Sequence, residues 1–413
     1  MNGAETVVVG YTEFLLDLLS GLVADRSVVV IEEPEVIERR QLDRAHMKHA
    51  CLREVLPAPY QSEDWPSHGG AAVERPSGVR AVLPGSEYAV RATAELADLW
   101  GLAGAGARAG HTLRNKDVLR ARMDGHVRQP RWNCPSSEQQ LLDFAEQFGG
   151  AVVLKPSNGQ ASAGVFRCSN MSDVVRYRGE FDDFSGDPLR ASSITPPRLL
   201  VEQRLTGPEF SVESFVIEGE VVFCNVTAKT VAAGEHPVEL GHAAPAGLDG
   251  PPRRRLLSAV SRMARLAGVR TAVLHSEWII TDGLPHLIEC AGRLPGDNIT
   301  ALISHAWGFD FVRAWLSIMR GERPQLPEAS TAAAAIWFLC AEPGAVTSVD
   351  GVADAAAASD VLEVRVTVGP GDATSGLKNS WSRIGYVLAR GPSAGHALVS
   401  AQSAAGIVKV AVA

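Results

Sequence analysis

Residues 274–293 read LHSEWIITDGLPHLIECAGR. Two apolar runs flank Asp282-Gly283, a dipeptide typical of two-residue turns, so the stretch predicts an antiparallel β-hairpin. If Glu277 and Glu289 are taken as equidistant from the turn, they lie opposite each other with Cβ atoms about 5 Å apart. Facing carboxylates repel unless a cation lies between them, and Mg²⁺ binds one or two carboxylates together with phosphate oxygens and water. The hairpin therefore predicts a magnesium site. The alternative is an exposed pair of edge carboxylates, which the apolar flanks disfavour.

A lysine-bearing strand and a loop of small residues precede this hairpin. Ala151 to Lys155 is predicted as a strand, and residues 156–164 (PSNGQASAG) follow it. Small residues let backbone N–H groups approach phosphate oxygens, and the lysine supplies a positive charge. The loop is not a Walker A motif, because no Gly-Lys-Ser/Thr closes it. Taken alone, an ordinary surface hairpin explains it equally well.

Two further charged residues, Lys116 and Arg293, indicate a functional site only in combination with the motifs above. Lys116 lies on a basic helix predicted from Leu113 to Met123, where a single lysine is more typical of a solvated face. Arg293 follows the second strand of the hairpin. A guanidinium beside a metal-bound phosphate can stabilise charge that develops on a transferring phosphoryl group.

The rest of the chain predicts mixed α/β structure. Residues 6–10 and 27–31 are apolar, β-branched runs separated by a helical pattern, which is typical of parallel strands in an α/β unit. Residues 209–217 and 220–227 form a second predicted hairpin. The longest apolar run, Thr331 to Ala341, is too short to cross a bilayer and predicts a buried strand.

Composition narrows the function classes. The 39 basic and 47 acidic side chains give a net charge of −8, which disfavours a nucleic-acid-binding face. The six cysteines form no CxxC pair, so neither a zinc site nor a disulfide framework is indicated. The first ten residues lack the pattern of a secretory signal. We expect a cytoplasmic protein that binds neither nucleic acid nor membranes.

The order of these features resembles the ATP-grasp superfamily. A helix lysine comes first, then a strand lysine with its loop, then residues 201–213 (VEQRLTGPEFSVE) and the two-glutamate hairpin. Within the superfamily the chain is similar to the L-amino-acid ligases, which make dipeptides and related amides. Three segments carry this likeness, namely residues 85–104, residues 235–245 (EHPVELGHAAP) and residues 275–293. The resemblance covers residues 5–330.

The resemblance implies a role for each candidate site residue. The phosphates of ATP would be held by Lys116, Lys155 and the loop Ser157 to Gly164, which includes Ser162. The adenosine would contact Glu202, Gln203, Leu205 and Glu209, of which Glu209 holds the ribose. Glu277 and Glu289 would bind Mg²⁺, which Mn²⁺ can replace. The residues that face the substrates would be Glu239, His242, His275, Arg293, Gly296, Asp297 and Asn298. Those with a catalytic role would be Lys155, His242 and Arg293.

One position departs from the wider superfamily pattern. Many ATP-grasp enzymes carry Asn two residues after the second metal-binding Glu, where this chain has Ala291. The amino-acid ligase branch also tends to lack it, so the number of Mg²⁺ ions, one or two, stays open. Asp297 and Asn298 either compensate or line the pocket of the acyl donor. If Asp297 lines that pocket, a donor with a cationic or hydrogen-bond-donating side chain is favoured.

The implied fold is a multidomain α/β and α+β ATP-grasp protein. We predict an N-terminal parallel α/β domain at 1–108, a lid subdomain at 109–206, a central catalytic subdomain at 207–330 and a small C-terminal α+β subdomain at 331–413. Dimers are common in the family, so a homodimer is allowed.

The implied activity is ligation of a small carboxylate to an amine through an acyl phosphate, with ATP as the energy source. The small-molecule partners would be amino acids, in dipeptide or antibiotic biosynthesis. Two alternatives remain open. One is an ATP-grasp enzyme that uses bicarbonate or a nucleotide-precursor amine, and the other is a nucleotide-binding protein without catalysis.

Overall fold

The computed structural model describes residues 3–65, 73–182, 187, 189–192, 194, 197–233 and 236–413. Glu235, the first residue of the predicted segment 235–245, lies outside the described residues.

The N-terminal region is a parallel sheet with strand order β3-β2-β1-β4. Its strands are β1 (Thr6–Val9), β2 (Val28–Glu32), β3 (Leu52–Pro57) and β4 (Ala81–Pro84), and its helices are α1 (Glu13–Leu19), α2 (Pro34–Arg40) and α3 (Val90–Trp100). All residues of β1, β2 and β4 are buried, as expected for strands covered on both faces. The predicted parallel α/β unit is confirmed.

A second layer contains a small antiparallel sheet with strand order β5-β8-β6-β7. Its helices are α4 (Ala107–Arg114), α5 (Lys116–Met123), α6 (Glu138–Glu146) and α7 (Met171–Asp182), and its strands are β5 (Trp132–Asn133), β6 (Val152–Pro156), β7 (Phe166–Arg167) and β8 (Leu199–Gln203).

The single helix predicted from Leu113 to Met123 is wrong. The chain breaks at Asn115, which is extended at φ −116° and ψ 111° between two helices. The break has a tertiary cause, because the backbone N–H of Lys116 donates to the carbonyl of Ser157 at 2.8 Å. It makes Lys116 the first residue of α5.

The largest element is an eight-stranded antiparallel sheet with strand order β13-β12-β9-β10-β11-β14-β18-β16. Its first five strands along the chain are β9 (Glu209–Ile217), β10 (Glu220–Val231), β11 (Glu239–Ala244), β12 (Ala272–Thr281) and β13 (Leu284–Ala291), with helices α8 (Gly250–Ala267), α9 (Ile299–Trp307) and α10 (Phe311–Met319). Both predicted hairpins, β9–β10 and β12–β13, are confirmed.

The C-terminal region continues this sheet. Its elements are β14 (Ala333–Leu339), β15 (Gly344–Asp350), α11 (Val352–Ala356), β16 (Val361–Val366), β17 (Ala373–Thr374), β18 (Gly385–Gly391), α12 (Ala394–Ala405) and β19 (Lys409–Val412). The apolar run at 331–341 forms β14, which pairs with β11. The large sheet therefore runs across the predicted division at residue 330, and the four divisions stay predictions.

One apolar core joins the N-terminal sheet to the large sheet. Phe215 of β9 stacks on Phe311 of α10 with ring centroids 4.5 Å apart, and Val8 and Leu83 belong to the same buried cluster. Burying a side chain of this size contributes roughly 1.5–3 kcal/mol. The core thereby fixes the loops that follow β1 and β4 against the sheet that carries the two glutamates.

Candidate active site

A cavity of about 450 Å³ lies where the N-terminal region, the small sheet and the large sheet meet. Most of the predicted site residues line it. They are Lys116, Lys155, Ser162, Glu202, Gln203, Leu205, Glu209, Glu239, His242, His275, Glu277, Glu289, Arg293, Gly296 and Asp297. Ser157, Gly164 and Asn298 are not among the lining residues.

The two glutamates of the hairpin face each other, since Glu277 of β12 is the direct partner of Glu289 of β13. Their assumed equal distance from the turn is wrong, because four residues separate Glu277 from the turn and five separate Glu289 from it. A regular register would pair Glu277 with Ile288. Glu289 would then lie opposite the fully buried Ser276, on the other face of the sheet. A β-bulge next to Glu277 takes up the additional residue and brings both carboxylates to the cavity.

Both predicted lysines are buried at this cavity. Lys116 Nζ lies 3.2 Å from Glu289 Oε2 and donates to the carbonyl of Gly159 at 3.0 Å. Lys155 Nζ lies 2.7 Å from Glu202 Oε2. Burial lowers the pKa of Lys155, and Glu202 opposes this shift. The lysines therefore belong to the site, and the alternative of a solvated helix face for Lys116 is wrong.

Arg120 is a site residue that the sequence prediction missed. Its side chain is 1% exposed, and its Nε donates to Glu202 Oε1 at 2.7 Å. Burial would raise the pKa of Glu202, but Arg120 and Lys155 hold it below its usual range. Both oxygens of the Glu202 carboxylate are therefore paired with these cations. Only the backbone N–H and carbonyl of Glu202 remain for the predicted contact with adenine. Arg120 lies one helical turn after Lys116, and this (i, i+4) spacing was the available indication.

Lys229 of β10 is a second missed cation. Its Nζ lies 2.7 Å from Glu277 Oε1 and 3.1 Å from Glu239 Oε1. Burial would raise the pKa of Glu277, but Lys229 and His275 hold it well below its usual range. The side chain of Glu239, a predicted substrate contact, is thus paired with Lys229, and it also accepts from Ser380 Oγ at 3.2 Å.

His275 supports Glu277 from the same strand. Its Nδ1 lies 3.0 Å from the fully buried Glu213, and its Nε2 lies 3.5 Å from Glu277. Burial would lower the pKa of His275, but hydrogen bonds to Glu213 and Glu277 raise it to about 9. The alternation of β12 explains this placement, because residues 275 and 277 share the face of the sheet that lines the cavity.

Arg293 is positioned by a carboxylate of the N-terminal region. Its Nε donates to Glu87 Oε2 at 2.8 Å, and its Nη1 donates to the carbonyl of Leu294 at 2.9 Å. Glu87 itself is 2% exposed. The preceding loop is tightly packed, because a Cβ at Gly85 would lie 1.8 Å from the carbonyl oxygen of Gly10. The N-terminal region thus holds one catalytic candidate of the large sheet.

The far end of the cavity holds a charge cluster that joins two parts of the chain. Asp297 Oδ2 lies 3.0 Å from His242 Nε2 and accepts from Arg383 Nη1 at 2.9 Å. Arg383, from the segment before β18, was missed, and no local pattern indicated it. Because Asp297 is paired with Arg383, the expectation of a cationic donor loses its basis.

Residues at the junction of α4 and α5 hydrogen-bond to the loop at 157–164 and fix its position. Its carbonyls at Ser157 and Gly159 accept from the backbone and side chain of Lys116, and that of Asn158 accepts from Arg114. The backbone N–H groups of residues 159–162 donate to no acceptor within the described part of the chain. Such free amides can bind an anion.

Glu209 forms the other rim of the cavity. Its Oε1 lies 2.7 Å from Arg167 Nη2 on β7, so the pair connects the large sheet to the small one. Burial raises the pKa of Glu209, which Lys229 and Arg167 oppose. Gln203 and Leu205 line the cavity between the two sheets.

The donor atoms at the hairpin fit Mg²⁺. Across the described ranges, no three His, Cys, Asp or Glu side chains gather around one point. Glu277 Oε2 and Glu289 Oε1 accept no hydrogen bond from any residue that the structure describes. Two carboxylates with free oxygens match an ion that completes its shell with water and phosphate.

Two protein families match the chain. Residues 148–301 match the ATP-grasp domain, and residues 337–413 match the L-amino acid ligase C-terminal domain 2. The chain therefore contains an ATP-grasp domain, as the sequence predicted. The second match adds an L-amino acid ligase C-terminal domain after it, in agreement with the predicted likeness to that branch.

Individual relatives are distant. The uncharacterized protein y4rH of Sinorhizobium fredii is 27% identical over 265 residues, which are 64% of this chain and 54% of that protein. The alanine–anticapsin ligase of Bacillus subtilis is 23% identical over 272 residues, which are 61% of this chain and 56% of the ligase. The alignments therefore span about half the length of these relatives.

Solved structures extend the likeness to the whole fold. The L-amino acid ligase from Bacillus licheniformis superposes with a TM-score of 0.82 at 17% identity and covers 99% of both chains. The mixed α/β ATP-grasp fold predicted from the sequence is confirmed over the full chain. Within its described residues, this ATP-grasp protein has no helix whose length and apolarity would suit a bilayer crossing.

Proposed function

We propose that this ATP-grasp protein is an ATP-dependent carboxylate–amine ligase. It would join an amino acid or related carboxylate to an amine and release ADP and phosphate. One observation carries the proposal, namely that the facing carboxylates of Glu277 and Glu289 share a cavity with several cations, among them Lys116, Lys155 and Arg293. A metal-bound triphosphate needs both charge types, because phosphoryl transfer depends on positioning and charge neutralisation.

ATP would lie between the small and large sheets. Lys116 and Lys155 would bind its phosphates, and the free amides of residues 159–162 would cover them. Gln203, Leu205 and the main chain of Glu202 would contact adenine, while Glu209 would bind the ribose. Glu202 would also hold Lys155 in place through their 2.7 Å ion pair.

The reaction would proceed in two steps. The donor carboxylate attacks the γ-phosphorus, ADP leaves, and an acyl phosphate forms, with Arg293 neutralising charge on the transferred group. The amine then attacks the acyl carbon, the bond from that carbon to the phosphate oxygen breaks, and phosphate leaves. Mg²⁺ held by Glu277 and Glu289, with Mn²⁺ as a substitute, would neutralise phosphate oxygens.

The amine must lose a proton as the new bond forms. His242 is better suited to accept it than Glu239, the other candidate, because Glu239 is paired with Lys229 and Ser380. His242 is oriented by Asp297 at 3.0 Å, and its Nδ1 is buried without a partner among the described residues. A ring oriented by a carboxylate is a common arrangement for a general base.

The names of the relatives favour amino-acid substrates. The alanine–anticapsin ligase of Bacillus subtilis joins alanine to anticapsin by name, and this supports our proposal of a role in dipeptide or antibiotic biosynthesis for this chain. The Asp297–Arg383 pair adds a constraint, since its charges balance and favour a donor with an uncharged side chain.

A phosphate-release screen over pairs of amino acids and small carboxylates tests the proposal. We expect ADP and phosphate only when a donor and an amine are both present, and an amide by mass spectrometry. Hydroxylamine should trap the acyl phosphate as a hydroxamate. Turnover with bicarbonate alone, or nucleotide binding without turnover on any pair, would instead favour one of the two alternative functions.

A further inference from the structure

The guanidinium of Arg120 connects β8, which carries Glu202, with β13, which carries Glu289. Through Nε it pairs with Glu202, the carboxylate that also holds Lys155. Through Nη1 and Nη2 it donates to the carbonyls of Leu287 and Ile288, at 2.8 and 2.7 Å. These two residues immediately precede Glu289.

The two acceptor carbonyls belong to the β-bulge. In a regular antiparallel strand, successive carbonyls point to opposite edges, so one guanidinium cannot bind two neighbouring ones along a strand edge. Here the backbone N–H and carbonyl of Leu287 both point away from the neighbouring strand β12. The N–H donates to the carbonyl of Arg128 at 2.8 Å, and the carbonyl accepts from Arg120. The carbonyl of Ile288 points the same way, toward Arg120, and this break in alternation marks Ile288 as the additional residue.

The bulge decides whether the metal site exists. Without it, Glu289 would lie opposite Ser276 on the buried face, and Glu277 would face Ile288. β13 is also the edge strand of its sheet, so no further strand satisfies the carbonyls that the bulge turns outward. Arg120 supplies both hydrogen bonds from a planar, rigid fork.

We propose that Arg120 is a positioning residue that holds the bulge of β13 and thereby sets Glu289 opposite Glu277 before any ligand binds. It does not line the cavity, and it acts through Glu289 and Glu202. This proposal rests on the proposed function only in taking Glu277 and Glu289 as the metal ligands.

The Arg120→Lys variant tests this role. Lysine keeps the charge beside Glu202 but lacks the fork that spans two carbonyls. The matched control is Arg122→Lys, on the same helix and without a contact to β13. Mn²⁺ binding to the protein with saturating ADP is measured by electron paramagnetic resonance, and ADP binding in EDTA is measured by calorimetry.

We expect Arg120→Lys to weaken Mn²⁺ binding at least about tenfold, as loss of a supporting contact to a metal ligand does. ADP binding without metal should change less than about threefold, because Glu202 still pairs with Lys155. Arg122→Lys should match the unaltered protein in both. Unchanged Mn²⁺ binding in Arg120→Lys would overturn the proposal, and so would an equal loss of metal-free ADP binding.

Hydrogen exchange on the unaltered protein gives a second test that no folding defect can obscure. If Arg120 holds the bulge, MgADP slows exchange of the amides of residues 284 and 286–291 no more, within about twofold, than it slows the amides of β9. Slowing well beyond that of β9 would mean that the ligand organises the bulge, and the proposal would fail. Should the unaltered protein bind no Mn²⁺ with ADP, the proposed function fails, and the role of Arg120 is then decided without ligand. Faster exchange of the amides of residues 286–291 in Arg120→Lys than in Arg122→Lys supports the role, and equal exchange in the two variants overturns it.

Discussion

Arg383 donates to both carboxylate oxygens of Asp297, through Nη1 to Oδ2 at 2.9 Å and through Nη2 to Oδ1. The guanidinium also lies 3.8 Å from the centre of the Phe338 ring. Burial would raise the pKa of Asp297, but His242 and Arg383 hold it well below its usual range. The cavity therefore presents a balanced ion pair at this end, where the sequence analysis considered Asp297 without a partner and offered it either to the metal site or to the donor pocket.

The Arg383→Gln variant should change the choice of acyl donor. Removing the guanidinium leaves His242 as the remaining partner of Asp297, so a cationic side chain such as that of lysine becomes the best replacement for the lost charge. We expect kcat/KM for cationic donors, divided by that for neutral donors, to rise at least about tenfold, or roughly 1.4 kcal/mol. Steady-state phosphate release over a donor panel measures this ratio.

Two further variants show whether Asp297 causes the change. Adding Asp297→Asn to Arg383→Gln should return the ratio to its starting value, because no free charge remains. Arg365→Gln, an exposed arginine of β16, should leave the ratio unaltered. If the ratio stays constant in Arg383→Gln itself, the ion pair does not set specificity.

The facing glutamates predict how nucleotide binding depends on metal. Glu277→Gln and Glu289→Gln each replace a charged oxygen donor by a weaker neutral one, so the gain in ADP affinity on adding Mg²⁺ should shrink at least about tenfold. Calorimetric titration of ADP with and without Mg²⁺ measures this gain. Glu220→Gln, at an exposed site on the β9–β10 hairpin, is the control. A full metal-dependent gain in both variants would contradict the metal assignment.

Local sequence patterns were sufficient for most strands and for the face of the sheet that carries the site. Alternation along residues 272–281 places His275 and Glu277 together, and the turn dipeptide at 282–283 fixes the hairpin. A correct count from the turn, four residues to Glu277 and five to Glu289, shows that the two can face each other only across a bulge. The count cannot show that the bulge forms at Ile288, because nothing in the local sequence distinguishes a bulged residue from a regular one. A contact from a distant helix, through Arg120, accompanies it.

The remaining omissions share this long-range character. Helix propensity continues through Asn115, and the break there depends on a hydrogen bond from Lys116 to Ser157. Arg383 reaches the cavity because β14 and β18 extend the sheet of the two glutamates, a pairing between strands far apart in sequence. Sequence periodicity predicts single helices and strands, but it cannot predict the contacts between elements that are far apart in sequence.

Lys229 predicts a stability effect that metal should partly reverse. Its Nζ lies between Glu239 and Glu277, and the side chain is 5% exposed. Lys229→Met should lower the free energy of unfolding by roughly 2–4 kcal/mol, because two carboxylates lose their shared cation. Saturating Mg²⁺ should then raise the urea midpoint of the variant more than that of the unaltered protein, since the ion can neutralise Glu277.

The control for Lys229 is Lys409→Met, an exposed lysine on β19, which should shift the urea midpoint little with or without metal. Equal stabilisation of Lys229→Met and the unaltered protein by Mg²⁺ would show that the ion does not bind where Lys229 acts.

Glu33 predicts a pH-dependent stability away from the cavity. Its side chain is 2% exposed at the start of α2, and its Oε1 accepts from the backbone N–H of Gln61 at 2.6 Å. Burial raises the pKa of Glu33 from 4.5 to about 7. The hydrogen bond from Gln61 opposes this rise, and the nearby charges of Glu32 and Glu35 add to it. The folded protein therefore keeps this proton to a higher pH than the unfolded chain.

The sign of the effect follows from this difference in proton binding. Stability from protonated Glu33 is full below pH about 4.5 and is lost as the pH rises through about 7. Glu33→Gln keeps an oxygen acceptor for Gln61 and removes the charge. It should match the unaltered protein near pH 4.5 and be more stable by roughly 3 kcal/mol at pH 8. Urea denaturation at several pH values measures the difference, with Glu38→Gln, an exposed carboxylate of α2, as control. A constant difference between pH 4.5 and 8 would mean that Glu33 is ionised alike in the folded and unfolded states.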